Sequence, residues 1–228
     1  MSIGEPILLK ANHSSYIVTL TKRKLVAKYK PLLEKRGYKV QDLNFVHPEK
    51  SDISYDPLQY VRTASCVYSI VCKQLFEFGE RCPDGKLPIS VHVLCDDFTT
   101  GGRILNFLEL ISIFREKQIS VTLLLQSESQ LEAMYGYNAA ITIINNCDTY
   151  IFMGTNDLKT AQSVSVKMNV PLEDILWMPI GEEIIFRRGQ RPIMTQRYNI
   201  LENELYRKVT KQYERTIAKN NNLEHQIA

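Results

Sequence analysis

Ser90-Val91-His92-Val93-Leu94-Cys95-Asp96-Asp97-Phe98, followed by Thr99-Thr100-Gly101-Gly102, decides how the rest of the chain is read. A short apolar run with β-branched residues, bounded by polar and glycine residues, predicts a buried strand of a parallel sheet. Carboxylates at the carboxyl end of such a strand face the crevice where α/β proteins place their ligands. Two readings of Asp96 and Asp97 stay open on these residues alone. In a Walker B arrangement the first acid holds Mg²⁺ directly or through water, and the second orients or deprotonates an attacking water. In the other reading the two aspartates close a strand-to-loop turn with side-chain-to-backbone bonds.

Upstream, Ser15-Tyr16-Ile17-Val18-Thr19-Leu20 reads as a buried strand. It leads into a basic stretch with Leu25, Val26, Tyr29, Leu32 and Leu33 at helical spacing, ending at Gly37 after Lys35 and Arg36. Tyr38 to Val46 reads as the next strand, which makes a β-α-β unit with a right-handed crossover. His47–Asp52 is a loop, Tyr55-Asp56-Pro57-Leu58 is turn-like, Val61 to Gly79 is helical, and Pro83–Lys86 is a turn. Downstream, Ile104, Leu105, Leu108, Ile111, Ser112 and Arg115 outline an amphipathic helix before the apolar strand Ile119–Leu125, which ends at Gln126. Helical pieces at Ser129–Met134 and Asn138–Asn145 precede a strand at Asp148–Gly154. A helix from Asp157 to Met168 follows, capped by Asn156 or Asp157. Glu182–Phe186 and Pro192–Tyr198 flank Arg187-Arg188-Gly189-Gln190-Arg191 as a β-hairpin. Strands alternating with helices predict an α/β domain over residues 1–200 with a mainly parallel sheet and a carboxyl-terminal hairpin. A helical tail over 201–228 ends in a frayed stretch near Asn220-Asn221-Asn222.

The chain of 228 residues can bury a real core, and 44% hydrophobic with 23% charged residues is ordinary for a globular protein. A net charge of +3 is too small to argue nucleic-acid binding by itself. Five cysteines without C-x-x-C spacing suggest a reduced, cytoplasmic protein, with Cys95 and Cys147 in apolar or helix-like contexts. Cys66, Cys72 and Cys82 have no histidine nearby to complete a metal site. The first residues carry neither the basic nor the apolar region of a signal peptide, and no run of about 18 apolar residues spans a membrane.

A phosphate-hydrolysing site needs a cradle of backbone N–H groups at a helix start, with a lysine among them. The pattern G-x-x-x-x-G-K-[ST] is absent; Gly79 to Gly85-Lys86-Leu87 has one residue too many and a leucine where the hydroxyl belongs. Gln126 is either a sensor of a nucleotide γ-phosphate or a strand-terminal side chain that satisfies loop backbone. Arg187, Arg188 and Arg191, with Arg197, could contact DNA phosphates, supply an arginine finger to a neighbouring subunit, or form a solvated face. The run Lys22-Arg23-Lys24, with Lys28 and Lys30, reads as an exposed helix face. His13, His47, His92 and His225 are scattered and support no catalytic histidine.

Several stretches in one order resemble the coupling-protein ATPases of conjugative type IV secretion, the TraG/TraD type, whose motor domain is related to RecA and FtsK. They are Ser14–Thr19, Leu33–Val40, Asn44-Phe45-Val46, Glu49–Asp52, Tyr55–Leu58, Val93–Phe98, Ile119–Ser127 and Gln130-Leu131-Glu132. Ile143–Thr149, Thr160-Ala161 with Ser163-Val164-Ser165, and Arg188–Pro192 complete the series. The resemblance departs at definite places. The Walker A loop of the family would lie just before Met1, and Leu20-Thr21-Lys22-Arg23-Lys24 stands where the family has Asp-Pro-Lys-Gly-Glu. The all-α insertion between Tyr60 and Lys86 is shrunk to about one helix, the amino-terminal membrane helices are missing, and the Walker B Asp-Glu is Asp-Asp.

The resemblance implies a RecA-like three-layer domain that is the carboxyl-terminal part, or a compacted relic, of a Mg²⁺-dependent ATPase. In it Asp96 would bind Mg²⁺ and ATP, Asp97 would be the base and Gln126 the sensor. Intact members move single-stranded DNA and its relaxase toward type IV secretion channel components, as hexamers anchored at the bacterial inner membrane. The chain alone is expected to bind ATP and Mg²⁺ weakly and to be inactive. A non-catalytic docking module of the transfer machinery is the alternative, and a metal-dependent phosphoesterase built on Asp96 and Asp97 is a third.

Overall fold

The computed structural model describes residues 4–20, 24–44, 47–53, 64–99 and 102–227. The expected turn at Tyr55–Leu58, the start of the helix at Val61, the basic pair Lys22-Arg23, and Thr100 and Gly101 lie outside the described residues. In chain order the elements are α1 (Gly4–Leu9), β1 (Ser15–Thr19), α2 (Lys24–Lys35), α3 (Ala64–Arg81), β2 (Val91–Cys95) and α4 (Phe107–Ile113). Then come β3 (Ile119–Leu123), α5 (Glu128–Tyr135), α6 (Tyr137–Asn146), β4 (Thr149–Phe152), α7 (Leu158–Met168) and α8 (Leu172–Leu176). β5 (Glu182–Arg187), β6 (Ile193–Gln196) and α9 (Glu204–Ile227) complete the chain. No helix among the described residues is long and apolar enough to cross a membrane.

The chain divides into two compact units, one of Met1–Ser14, Leu20–Tyr60 and Tyr198–Ala228, the other of Ser15–Thr19 and Val61–Arg197. The second unit holds both sheets. β1, β2 and β3 form a parallel sheet with β2 in the middle, in the register Ser15↔Val91↔Ile119 to Thr19↔Cys95↔Leu123. The central position explains why Val91, Val93, Leu94 and Cys95 are all buried: a middle strand of a parallel sheet is covered on both faces. Val91, Val93, Cys95 and Ile119 pack with Cys72 of α3, with Phe107, Leu110 and Ile111 of α4, and with Leu131 of α5 and Ile143 of α6. β4, β5 and β6 form a separate antiparallel sheet. Its core side, Phe152 and Ile184, packs with Ala161 and Val164 of α7 and Ile175 of α8.

The α/β class and the carboxyl-terminal hairpin are as the sequence predicts; the expected strand at Tyr38–Val46 is not. Tyr38–Asn44 carries no strand, and Phe45 and Val46 lie outside the described residues. The backbone there is satisfied locally: Asp42 N donates to Asp52 Oδ2 (3.0 Å), Asp52 N to Asp42 O (2.8 Å) and Asn44 N to Ser51 Oγ (2.8 Å). Side chains of Ser and Asp compete in this way with a ladder partner. β1 therefore finds its parallel neighbour in β2.

In the first unit α2 ends as expected at Gly37, whose φ of +87° lets Tyr38 N reach Leu33 O. The Arg36 guanidinium donates to Leu9 O, the last carbonyl of α1 (2.8 Å), and to Ala11 O just beyond the helix (3.0 Å). Glu5 and Lys28 form a buried ion pair at 3.3 Å, with the ammonium 3.8 Å from the ring centroid of Tyr206 on α9. A buried charge needs such partners, since desolvation alone costs several kcal/mol (roughly, per ion).

Candidate functional site

The chain turns sharply where β2 ends. Asp96 and Asp97 are half-buried, and Asp97 takes a φ of +48°, in the left-handed region that Asp tolerates better than most residues. Immediately after it, Phe98 is buried and plugs the core. Its ring lies 5.2 Å from Phe107 and stacks on Tyr135 at 5.9 Å. Tyr135 in turn accepts a hydrogen bond on its hydroxyl from Ile104 N (2.9 Å), which fixes the chain beyond the turn. The two carboxylates are thus held between a buried strand and a buried aromatic anchor.

The carboxyl end of β3 is tied to this turn. Leu124 N donates to Cys95 O (2.9 Å), and Phe98 N donates to Leu124 O (3.0 Å), so the two strand ends leave the sheet together. Side chains continue the link: Thr99 Oγ1 donates to Gln130 Oε1 (2.9 Å), and Gln130 Nε2 donates to Gln126 Oε1 (3.3 Å). The structure therefore brings the Asp96–Thr99 turn and exposed Gln126 to adjacent strand ends.

Thr99 and Gln130 have no role in the sequence reading, although a signal was present. Ser127 and Gln130 stand at the spacing of a capping box. Ser127 Oγ does accept from Gln130 N (3.3 Å). The glutamine side chain, which in a capping box returns to the N-cap, is turned instead onto Gln126 and Thr99.

The start of α5 is also anchored to α7. Ser129 Oγ donates to Asp157 Oδ2 (2.7 Å), and Glu128 N donates to Thr160 Oγ1 (3.0 Å). Asp157 is the α7 cap, accepting from Thr160 N (3.0 Å) as well as from the Thr160 hydroxyl. These hydrogen bonds, from Thr160 first and Ser129 next, hold the Asp157 carboxyl below its ordinary range. Glu128 is buried against Lys167 at 3.2 Å.

Arg187, Arg188 and Arg191 stand elsewhere in the fold, whereas Arg197 donates through Nη2 to Met153 O (3.1 Å), just past the carboxyl end of β4. Arg188 donates through Nη2 to Asn145 O (2.7 Å) and pairs through Nε with Asp148 at 3.3 Å, at the end of α6 and the start of β4. Asn146 beside it reaches Ser112 on α4, the helix that leads into the amino end of β3. Arg188 thus belongs to the end of these elements opposite Asp96 and Gln126. Arg187 and Arg191 are exposed on the same hairpin.

Cys72 lies in the core, where burial pushes its thiol up to about 11, and Cys82 donates to Phe78 O. The Cys66 side chain lies outside the described residues. His92 bonds Ser120 Oγ (2.7 Å) and Thr122 Oγ1 (3.0 Å), with its basicity lowered by burial.

Among the described residues no group of three or more His, Cys, Asp or Glu side chains could hold a metal ion. Two carboxylates at a strand end fit Mg²⁺ only in the manner of a nucleotide site, where phosphate oxygens and water complete the shell. The chain has no glycine-rich lysine loop to cradle those phosphates.

A parallel three-stranded sheet with helices packed against it, and with paired acids and a glutamine at adjacent carboxyl ends, makes this an α/β domain. Residues 90–168 match the family described as the TraM recognition site of TraD and TraG. The fold is similar to that of the plasmid coupling protein TrwB. With TrwB bound to the non-hydrolysable ATP analogue ADPNP the TM-score is 0.50 at 17% identity, over 57% of this chain and 34% of that one. TrwB with ADP and Mg²⁺ gives a TM-score of 0.50 at 17% identity, over 57% and 34% of the two chains. The trigonal sulphate complex of the bacterial conjugative coupling protein TrwBdeltaN70 gives 0.51 at 16%, over 58% and 35%. The likeness to TraG/TraD-type coupling proteins expected from the sequence therefore holds. The chain spans about a third of the length of these solved structures. No curated relative matches it.

Proposed function

We propose that this chain is the carboxyl-terminal, RecA-like part of a conjugative DNA-transfer coupling ATPase. The observation that supports the reading is the pair of bonds Leu124 N–Cys95 O and Phe98 N–Leu124 O, which puts the acid pair and Gln126 at neighbouring exits of one parallel sheet. In this reading Asp96 holds Mg²⁺, Asp97 is the base toward water and Gln126 senses the γ-phosphate through its own position. Mg²⁺ would supply charge neutralisation on the nucleotide phosphates. The phosphate cradle comes from residues outside this chain, so the chain alone is inactive and binds ATP weakly.

The intact motor works at the cytoplasmic side of the membrane, as a hexamer, and passes a single-stranded DNA–relaxase complex to a type IV secretion channel. A docking role on the same fold is the second reading, favoured by the family description of residues 90–168 as a recognition site for TraM. Arg187 and Arg191 are the hairpin cations open to DNA or to a neighbouring subunit. Arg188 contributes less, because its guanidinium already serves Asp148 and Asn145.

Calorimetry of Mg²⁺-ATP binding, beside Asp96→Asn, tests the proposal. The expected outcome is a dissociation constant weaker than micromolar for the chain alone. Micromolar binding that Asp96→Asn weakens would reveal a cradle inside the chain and overturn the claim that it comes from elsewhere. Micromolar binding indifferent to Asp96→Asn would overturn the role of Asp96 itself.

A further inference from the structure

Within its own unit, and among the described residues, the antiparallel sheet has its core on one face. Tyr150, Phe152, Ile184 and Phe186 point to the core shared with α7 and α8. The alternation of strand side chains then sends Thr149, Ile151, Glu183, Ile185, Arg187, Ile193 and Thr195 to the other face. An open antiparallel face is ordinarily polar. Here its middle row is an isoleucine on every strand, since Ile151 pairs with Ile185 and Ile185 with Ile193. Ile151 is 37% exposed and Ile193 54%, so the row is wet at both ends. Three aligned isoleucines form a contiguous apolar ridge rather than scattered exposed residues.

The charges beside the ridge say what fits it. On β5, Glu183 stands two residues before Ile185 and Arg187 two residues after it, on the same face. Neither is ion-paired among the described residues. A twofold axis laid along the isoleucine row turns each β5 antiparallel to its copy. Each isoleucine then meets its own counterpart, and Glu183 of each copy lies over Arg187 of the other. The pattern is self-complementary, as an isologous contact requires.

We propose that this open face of β4, β5 and β6 is a contact surface for a second copy of the chain, packed sheet on sheet about that axis. The two mean strand directions lie within about 30°, as in aligned sheet packing. The patch is small: three strands about 4.8 Å apart and five residues long cover roughly 14 by 17 Å. A stable complex buries about 800 Å² per partner, so the association is weak and dependent on concentration. It does not rest on the ATPase reading.

Sedimentation velocity on the full chain over a wide concentration range tests the proposal. The expected result is a rise of the average mass toward that of a dimer at high concentration. Arg187→Glu should weaken association at least about tenfold, because it sets two carboxylates against each other across the axis. Glu183→Arg should do the same, and the double exchange Glu183→Arg with Arg187→Glu should restore association to within about threefold, a swap a merely structural role would not rescue. Ile193→Asp should abolish it in either background, with far-UV circular dichroism reporting that the fold is kept. A chain that stays monomeric throughout overturns the proposal. So does a dimer indifferent to Arg187→Glu, or a well-folded double exchange that fails to recover.

Discussion

In the β1–β2–β3 sheet the middle strand is buried and the polar groups are pushed out to the carboxyl ends, where Asp96, Asp97 and Gln126 gather. In the β4–β5–β6 sheet the strands share one core face, and the polar groups Glu183 and Arg187 stand along the other, on either side of an apolar row. The first arrangement presents chemistry at a point, and the second presents a surface. Parallel strands leave the sheet in one direction and so concentrate their exits. Antiparallel strands return at each hairpin, which spreads their polar residues over a face.

The comparison breaks most visibly at the aromatic plug. Phe98→Ala would empty the space filled against Phe107 and Tyr135, at a cost of about 3–5 kcal/mol. Ile193→Ala, on the open face, should cost under about 0.5 kcal/mol in the monomer. Urea unfolding of dilute protein, followed by far-UV circular dichroism, checks both. Similar losses for the two variants would mean that the antiparallel face is buried within the monomer and that the contrast between the sheets is false.

Most of the first sheet was legible in the sequence, because Val91–Cys95 and Ile119–Leu123 announce strands by composition and by the polar residues that end them. Only the middle strand, however, is buried along its length; β1 and β3, at the edges, are half-covered. Tyr38–Asn44, with Tyr38, Val40 and Leu43 among polar residues, also reads as a strand and misleads. Its neighbours Ser51 and Asp52 supply acceptors to the same backbone, a competition that periodicity does not register. The Asp96–Asp97 turn was readable as a candidate site; its tie to Gln126 through Thr99 and Gln130 was not. That link depends on where one side chain of a capping box points. The isoleucine row was hidden for another reason. Ile151, Ile185 and Ile193 lie far apart in sequence, and only the register of two strand pairs aligns them.

A smaller effect separates the backbone role of Asp97 from its proposed chemistry. Its φ of +48° makes the turn costly for a residue with a Cβ and no local polar compensation. Asp97→Ala should therefore destabilise by about 1 kcal/mol relative to Asp97→Gly, and Asp97→Asn should stay near the parent. Equal stability of the alanine and glycine variants in urea unfolding would mean that the left-handed turn is not what holds the two carboxylates. Asn, which keeps the turn and removes the charge, is then the variant with which to ask about water activation.

The finest contrast lies at Asp157, where α7 of one sheet and α5 of the other are stitched by Ser129 and Thr160. Hydrogen bonds to the charged carboxylate lower its folded-state pKa from the ordinary value of 3.8. The folded state then favours the ionised form, so the contribution is complete above the unfolded value and fades as pH falls through the folded one. At neutral pH, Asp157→Ala should cost about 1 kcal/mol as a lost cap. That deficit should shrink below about pH 3.8, because the parent is losing part of the same stabilisation while the variant has nothing there to protonate. Asp157→Asn keeps an acceptor oxygen without a charge, and its deficit should be smaller at neutral pH and shrink likewise in acid. Thermal unfolding of the three proteins across the acid range reads this directly. An alanine deficit unchanged down to the lowest pH at which the fold survives would assign the joint to shape and packing, and not to the carboxylate.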